Sequence, residues 1–180
     1  MLEIRLHGRG GQGAVTGGEL LAKSAGAEGK WSQAFPKFGV ERRGAPVESY
    51  CRISDERVRL HQELYEPDVV VILDASLMDS VDVLAGLKKG GVVLMNTKLG
   101  PTEACGKKGK CFKFHTVDAT KIAMEKLGKP IVNTAMMGAL VKVTGIVKLE
   151  TLVKEVEEHF GEKLGKSNAE AVRACFEQVR

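Results

Sequence analysis

Long apolar runs are missing from this sequence, which limits where the protein can work. No stretch of about 18 consecutive apolar residues occurs, so no membrane-spanning helix is predicted. The N-terminal segment MLEIRLHGRG lacks the apolar core of a secretory signal peptide and begins directly with a strand pattern. We therefore expect a cytoplasmic protein.

Cysteine pairs with metal-binding spacing are also missing. The cysteines are Cys51, Cys105, Cys111 and Cys175, and none belongs to a C-x-x-C motif. Cys105 and Cys111 flank GKKGK, a spacing that matches no usual zinc or cluster pattern. Reduced thiols in a cytosolic protein are the simpler interpretation, so we expect this chain to carry neither a metal site nor an iron–sulfur cluster.

Charge of one sign is nowhere concentrated. The net charge is +4, and the basic and acidic residues are interspersed, without the basic run that follows a nucleic acid backbone. An acidic small molecule, such as a phosphate or a coenzyme, fits this charge balance. With 180 residues, of which 43% are hydrophobic and 28% charged, the chain is expected to form one globular domain over residues 1–180.

Strand and helix patterns alternate along the chain and predict an α/β fold. We expect a Rossmann-like, mainly parallel sheet with helices on both faces and an added antiparallel hairpin over residues 47–61. The predicted strands are 2–8, 31–35, 47–53, 57–61, 69–73, 92–96 and 111–117, and the predicted helices are 14–27, 77–91, 118–128, 133–145, 149–161 and 167–180. Asp118 and Asn133 are the expected N-caps of two of these helices.

A glycine-rich loop follows the first predicted strand. The segment LHGRGGQGAVTGGEL has the spacing G-x-G-x-x-G at Gly8, Gly10 and Gly13, with a helix pattern after it. Backbone amides at a helix N-terminus favour an anion, and Arg9 adds a positive charge within the loop. The pattern is consistent with a dinucleotide, with another anionic ligand, or with glycines used only for packing.

A dinucleotide site requires one residue more. An acidic side chain near the end of the second strand normally binds the ribose. Here Pro36 and Lys37 follow the second strand, and Glu28 precedes it. We therefore rank NAD binding below another anionic ligand or a structural loop.

A second charged loop follows the second strand. Glu41, Arg42 and Arg43 precede Gly-Ala-Pro, and adjacent arginines can clamp phosphates or carboxylates. Phe35 and Phe38 lie nearby, and aromatic residues beside arginine are typical of the centre of a protein interface. The alternative is a solvated loop with Phe38 folded onto the core.

A self-sufficient catalytic set is absent. The four histidines are scattered, and no local motif pairs one with a serine or cysteine nucleophile. His7 adjoins the glycine loop and either contacts a ligand or is a buried structural residue. Asp74 ends a buried strand and either faces a crevice or caps the next helix. The residues thus indicate an anion-binding α/β domain that needs partners to perform chemistry.

Four segments together resemble one family. They are EIRLHGRGGQGAVTGGELLA, QAFPKFGVERRGAPVESYCRI, EPDVVVILDASL and NTAMMGALVKVTGIVKLE, in this order. The chain resembles the gamma subunits of pyruvate (or 2-ketoisovalerate) ferredoxin oxidoreductases over nearly its whole length. FGVERRGAP is typical of that branch, whereas the 2-oxoglutarate branch more often has a PEARGG-type loop.

The resemblance implies a subunit of an enzyme that oxidatively decarboxylates a 2-oxoacid with coenzyme A and reduces ferredoxin. It implies that thiamine diphosphate, magnesium and iron–sulfur clusters belong to alpha, beta and delta partner subunits, and that the gamma subunit assists assembly and handles coenzyme A. No catalytic or metal-binding residue is expected on this chain. The residues expected at the coenzyme, or for the second loop at the partner, are Gly8, Arg9, Gly10, Gly11, Gln12, Gly13, Glu41, Arg42 and Arg43.

Two other functions remain open from the sequence. One is a stand-alone NAD-dependent oxidoreductase, which predicts dinucleotide binding by the lone chain. The other is a scaffold subunit with no ligand of its own, which predicts that Arg9→Ala leaves the Michaelis constant for coenzyme A unchanged.

Overall fold

The computed structural model describes residues 1–37, 43–60, 62–106 and 112–180. Its strands are β1 (Leu2–Arg9), β2 (Trp31–Pro36), β3 (Pro46–Ser54), β4 (Val69–Ile72), β5 (Val92–Asn96) and β6 (Lys113–Val117). Its helices are α1 (Ala14–Ala27), α2 (Leu77–Ser80), α3 (Pro101–Cys105), α4 (Ala119–Leu127), α5 (Asn133–Thr144) and α6 (Leu149–Gln178). No helix within these ranges is both long and apolar enough to cross a membrane.

The six strands form one sheet in the order β2-β3-β1-β4-β5-β6. β1, β4, β5 and β6 are parallel neighbours, and β3 runs antiparallel to both β1 and β2. β2 therefore runs in the same direction as β1, and only β3 opposes the rest. The predicted α/β fold with a mainly parallel sheet is confirmed.

The central strands are buried on both faces. β4 shows this most simply, because Val69 and Val71 belong to the core under α1, α5 and α6, whereas Val70 and Ile72 belong to a second core on the opposite face. All four are at most 2% exposed. This is the environment that a short, continuously apolar strand predicts.

The C-terminal helix folds back on itself at a glycine. Gly161 has φ 73° and ψ 179°, which breaks the helical backbone of α6. Arg173 binds both carboxylate oxygens of Glu150, at 2.5 and 2.6 Å, although a straight helix would separate the two residues by roughly 35 Å. The two helices predicted for this region are therefore present as the two halves of α6 on either side of Gly161, and these halves lie side by side.

The predicted hairpin over residues 47–61 is wrong in its second strand. Residues 57–60 form no strand, and His61 lies outside the described residues. Both edges of β3 are already occupied, by β1 and β2, so no position remains for a further strand beside it. Arg57 instead lies over the Trp31 ring, 5.7 Å from its centroid. The antiparallel hairpin of this fold is β2–β3.

The predicted helix over 77–91 is also wrong beyond its first turn. Only Leu77–Ser80 are helical, and Val81 is extended. The carbonyl groups of Val83 and Ala85 accept hydrogen bonds from Arg5 instead of from a helix. Gly86 has φ 70° and lies so close to the Tyr65 carbonyl that a Cβ would be 2.0 Å from its oxygen. Long-range contacts thus override a helical pattern here.

Two polar side chains of β1 are buried beneath this segment. Arg5 and His7 are 6% and 3% exposed, and Arg5 Nε donates to His7 Nε2 at 3.0 Å. Burial, followed by the positive charge of Arg5, lowers the pKa of His7 to about 4. The imidazole is therefore neutral and serves as an acceptor. Of the two interpretations of His7, the structure supports the buried structural residue.

We expect His7 to make the protein less stable as the pH falls from about 6.5 to about 4. In this range the unfolded chain takes up a proton on the imidazole while the folded chain does not. The contribution is complete above pH 6.5 and is lost towards pH 4, by roughly 3 kcal/mol in total. Denaturant unfolding of the wild type and His7→Gln, which keeps an acceptor, measures it. The stability difference between them should shrink with acidification, and a constant difference would contradict the prediction.

Candidate functional site

The candidate site lies where the first parallel strand ends. β1 is central, and the chain leaves it in one direction through α1 to β2, while β4 lies on its other side. Ligands of open α/β sheets bind outside the carboxyl ends of the strands at such a change of direction. The glycine loop after β1 and the segment 73–76 after β4 adjoin at this edge of the sheet, and the gap between them is here called the crevice.

The conformation of the glycine loop depends on the Gln12 side chain and on two glycines with positive φ. Gly11 has φ 91°, and Gly13, the N-cap of α1, has φ 76°. Gln12 Oε1 accepts from the Arg9 amide at 2.7 Å, and the Gln12 amide donates to the Arg9 carbonyl at 2.9 Å. Gly13 has no side chain, and no described side chain caps α1, so the first-turn amides of that helix can bind a ligand or water.

The structure brings the glycine loop and the start of β3 together. The Gly10 amide donates to the Ala45 carbonyl at 2.9 Å, and the Gly44 amide donates to the Gly10 carbonyl at 3.0 Å. Gly10 also forms an isolated bridge with Arg43, whose side chain is exposed. Glu41 and Arg42, which we also expected here, lie outside the described residues.

Arg9 crosses the crevice and joins its two walls. Its Nε donates to Asp74 Oδ2 at 3.0 Å, its Nη2 to Ser76 Oγ at 2.8 Å, and its Nη1 to the Gly44 carbonyl at 3.1 Å. Gln12 Nε2 donates to the same Asp74 oxygen at 3.2 Å. Arg9 and Asp74 side chains are 30% and 23% exposed, so the ion pair lies at the surface of the crevice.

Asp74 is held in its ionised form. Partial burial by itself would raise the pKa of this carboxyl, but hydrogen bonds from Ser76, Gln12 and Arg9 outweigh burial, and the pKa lies below its ordinary value. Ser76 contributes both its amide, at 3.0 Å, and its hydroxyl, at 2.6 Å, to Oδ1. Asp74 therefore faces the crevice, as one of its two sequence interpretations proposed.

A buried asparagine of α5 packs against the glycine loop. Asn133 is not the N-cap we predicted, because α5 begins at Asn133 and Val132 occupies the cap position. Its side chain instead lies against Gly13, where an added Cβ would be 2.3 Å from Nδ2. Asn133 is 5% exposed, and its Oδ1 has no hydrogen-bond partner among the described residues. Because Asn133 is the first helical residue and not the residue before the helix, its side chain is not placed to cap the first-turn amides.

One known protein family matches almost the whole of this chain. A profile of the family described as pyruvate ferredoxin/flavodoxin oxidoreductase matches residues 3–178. The chain belongs to this family. The glycine loop, the Asp74 segment and the start of α5 all lie inside the matched range.

Individual members of the family match over nearly their full length. The chain is 55% identical to the pyruvate/ketoisovalerate oxidoreductases common subunit gamma of Thermococcus litoralis, covering 99% of this chain and 97% of that protein. It is 54% identical to pyruvate synthase subunit PorC of Methanothermobacter marburgensis, covering 100% and 98%. The crystal structure of pyruvate oxidoreductase subunit PORC from Thermotoga maritima superposes with a TM-score of 0.89 at 41% identity, covering 99% and 97%. The predicted relationship to gamma subunits of this oxidoreductase family is confirmed.

The structure of this family member explains why its dinucleotide fingerprint is incomplete. The strand beside β1 on the glycine-loop side is β3, which is antiparallel, and its first residue Pro46 faces Arg9. No carboxyl end of a neighbouring parallel strand is available there to present an acid to a ribose. Glu28, the acid that precedes the second strand, instead accepts a hydrogen bond from the Lys148 amide at 2.7 Å.

Two of the described cysteines are buried in the core. Burial raises the pKa of Cys51 and of Cys175 to about 12, so both are uncharged thiols. In the described part of the chain, no group of three or more His, Cys, Asp or Glu side chains is placed to hold a metal ion. Cys111 lies outside the described residues.

Two partners in the crevice were not identified from sequence. Ser76 binds both Arg9 and Asp74, and the Gly44 carbonyl binds Arg9. The spacing Asp74-Ala-Ser76 directly after a buried strand is a signal for Ser76, since aspartate commonly accepts from the amide two residues on. No local signal marks Gly44 or Asn133, which arrive from elsewhere in the chain.

Proposed function

We propose that this chain is the gamma subunit of a multisubunit pyruvate (2-oxoacid):ferredoxin oxidoreductase and binds the phosphates of coenzyme A at the glycine loop. In this proposal the chain joins alpha, beta and delta subunits. Those partners carry thiamine diphosphate, magnesium and the iron–sulfur clusters, which supply the decarboxylation and electron-transfer chemistry. The present chain contributes binding and orientation of the coenzyme.

The observation that carries the proposal is the meeting of two loops at the end of β1. Arg9 and Arg43 belong to these loops, and the Gly10 hydrogen bonds to Gly44 and Ala45 keep the loops together. The N-terminus of α1 adds backbone amides and a partial positive charge at the same place. Coenzyme A presents a pyrophosphate and a 3′-phosphate, so it offers separate anions to the helix N-terminus and to the arginines.

We expect Arg9→Ala and Arg43→Ala each to weaken coenzyme A binding by the assembled enzyme by about tenfold or more. Loss of one charge-assisted hydrogen bond accounts for an effect of this size. Calorimetric titration of the complex with coenzyme A measures the affinity. In steady-state assays of viologen reduction, the Michaelis constant for coenzyme A should rise while that for the 2-oxoacid stays the same, since the 2-oxoacid is bound by other chains.

Arg59→Ala is the matched control for these variants. Arg59 is an exposed arginine that follows β3 at the end of the sheet opposite the glycine loop, so its loss removes the same charge without touching the crevice. Equal effects of Arg59→Ala and Arg43→Ala on coenzyme affinity would refute a specific site. Size-exclusion chromatography of each variant separates loss of coenzyme binding from loss of assembly.

One observation favours a second candidate function, a scaffold subunit without a ligand. All three nitrogen atoms of the Arg9 guanidinium already have partners, in Asp74, Ser76 and Gly44. A purely structural Arg9 would hold the two walls of the crevice together for docking of partner chains. In that case Arg9→Ala lowers assembly or thermal stability and leaves the affinity for coenzyme A unchanged in the complex that does form.

A further inference from the structure

We propose that the ion pair of Arg9 with Asp74, here named the Arg9–Asp74 latch, closes the candidate site and has to break before an anion binds the Nε side of Arg9. The inference rests on the proposed coenzyme site, because it describes how a ligand gains access to Arg9. Asp74 is the built-in competitor: its carboxylate occupies the position on the guanidinium that a ligand phosphate would take.

The geometry makes competition unavoidable for any anion that binds Arg9 through its Nε side. Asp74 Oδ2 lies 3.0 Å from Arg9 Nε, and Ser76 Oγ lies 2.8 Å from Nη2. These two nitrogens form the edge with which a guanidinium binds a phosphate or carboxylate in two-point fashion. A ligand anion at that edge therefore has to displace the Asp74 carboxylate first.

The latch is built so that it can open. When Arg9 leaves, Asp74 Oδ1 still accepts from the Ser76 amide and hydroxyl, and Oδ2 still accepts from Gln12. The carboxylate thus retains three hydrogen bonds, and water reaches both partners because they are 30% and 23% exposed. Neither charge is left buried without a partner, which is the condition that makes separation of an ion pair costly.

The cost of opening is a property of the protein and is the same for every ligand. An anion whose only strong contact is Arg9 regains little beyond the contact that Asp74 already makes, so the latch remains closed. A polyphosphorylated ligand makes further contacts with the α1 amides and the exposed Arg43, and these offset the cost. Asp74 thereby weakens every anion that binds this edge of Arg9 by the same factor, and a ligand with further contacts, such as a polyphosphorylated one, still binds while a single carboxylate does not.

Substitution of Asp74 by asparagine tests the latch directly. Asp74→Asn removes the competing charge and keeps an oxygen for the Ser76 amide. The assembled complex is titrated calorimetrically with coenzyme A and, separately, with inorganic pyrophosphate at one ionic strength. We expect both ligands to bind about tenfold more tightly, by the same factor, because the same ion pair no longer has to be broken. Asp79→Asn, a nearby exposed aspartate, should leave both affinities unchanged.

A double-mutant cycle separates the latch from a simple change of local charge. In an Arg9→Ala background, Asp74→Asn should change either affinity by less than about twofold, because no Arg9 remains to be released. Equal tightening with and without Arg9 would show a field effect and overturn the latch. Weaker binding by Asp74→Asn alone would show that Asp74 positions Arg9, and it would overturn the latch as well.

The same titrations distinguish failure of the latch from failure of the proposed function. If Arg9→Ala weakens coenzyme binding while Asp74→Asn does not strengthen it, the coenzyme site stands and the latch is wrong. If neither variant changes the affinity, both proposals are wrong. Asp74→Ser, which also keeps an oxygen for the Ser76 turn, provides a second measurement if thermal unfolding shows that the asparagine variant is misfolded.

Discussion

The Arg52→Met variant is expected to lose about 3–5 kcal/mol of unfolding free energy, because it removes one partner of a buried ion pair. Arg52 is 1% exposed and lies on β3 directly opposite Glu3 of β1. Its Nε donates to Glu3 Oε1 at 3.0 Å, and Glu3 is itself only 16% exposed. Methionine fills most of the space of the arginine stem but leaves the Glu3 carboxylate with Lys88 alone, whose Nζ lies 3.7 Å from Oε2.

Further contacts of Arg52 add to this cost. Its Nη2 donates to the Glu63 carbonyl at 3.3 Å, its Nη1 to Gln33 Oε1 at 3.4 Å, and its guanidinium lies 5.5 Å from the centroid of the Phe35 ring. The guanidinium therefore connects β1, β2, β3 and the segment that covers this face of the sheet. Denaturant unfolding of the purified chain, monitored by fluorescence of its one tryptophan, measures the loss.

Two control variants test whether burial of the ion pair causes the loss of stability. Arg173→Met breaks an arginine–glutamate pair at the surface, where water replaces the lost contact, and should destabilise the chain far less. The double variant Glu3→Met/Arg52→Met should be more stable than Arg52→Met alone, since the half-buried carboxylate that has lost Arg52 is removed as well. If the double variant is the less stable of the two, the ion pair is not the origin of the effect.

Gly138→Ala is expected to cost at least about 3 kcal/mol, although alanine is the better helix former. Gly138 lies in α5 at its crossing with α6, and an added Cβ would be 2.0 Å from the Val172 carbonyl oxygen and 2.8 Å from its carbon. Backbone atoms cannot rotate away as a side chain can, so the two helices have to separate. Overpacking of a core commonly costs 1–3 kcal/mol, and a backbone clash lies at or above the upper end.

Gly26→Ala is the matched control for Gly138→Ala. Gly26 is also inside a helix, α1, but it is exposed and an added Cβ meets nothing within 4 Å. There the substitution should stabilise the chain by about 0.5–1 kcal/mol, because it only removes backbone freedom from the unfolded state. Unfolding midpoints of the two variants should thus shift in opposite directions. A loss in Gly138→Ala no larger than about 1 kcal/mol would refute close packing of α5 on α6.

The correct predictions of this fold depend on local patterns. The glycine loop between β1 and α1, the buried strands β4 and β5, and the cap at Asp118 were all recognisable from neighbouring residues. Asp118 indeed accepts from the Lys121 amide at 3.0 Å. Each of these features is decided by residues within one turn or one strand, so periodicity and turn chemistry suffice.

The wrong predictions all involve residues far apart in the chain. Arg5 takes the carbonyl groups that a helix over 77–91 would use, 78 and 80 residues further on. The Asn133 side chain lies against Gly13, 120 positions earlier in the chain, and Val132 takes the capping position. Alternation alone predicts a strand at 57–61, but the edges of β3 are occupied. In each case a contact formed only in the folded chain outweighs a local preference.

The sequence by itself determined the α/β class, the order of elements around the glycine loop, and the resemblance to gamma subunits of 2-oxoacid ferredoxin oxidoreductases. Tertiary structure alone decided that antiparallel β3 lies beside β1, and that Arg9 meets Asp74 across the crevice. The physical reason is that hydrogen-bonding patterns within an element are encoded in adjacent residues. Which strand neighbours which, and hence which charges meet at their ends, depends on the packing of the whole chain.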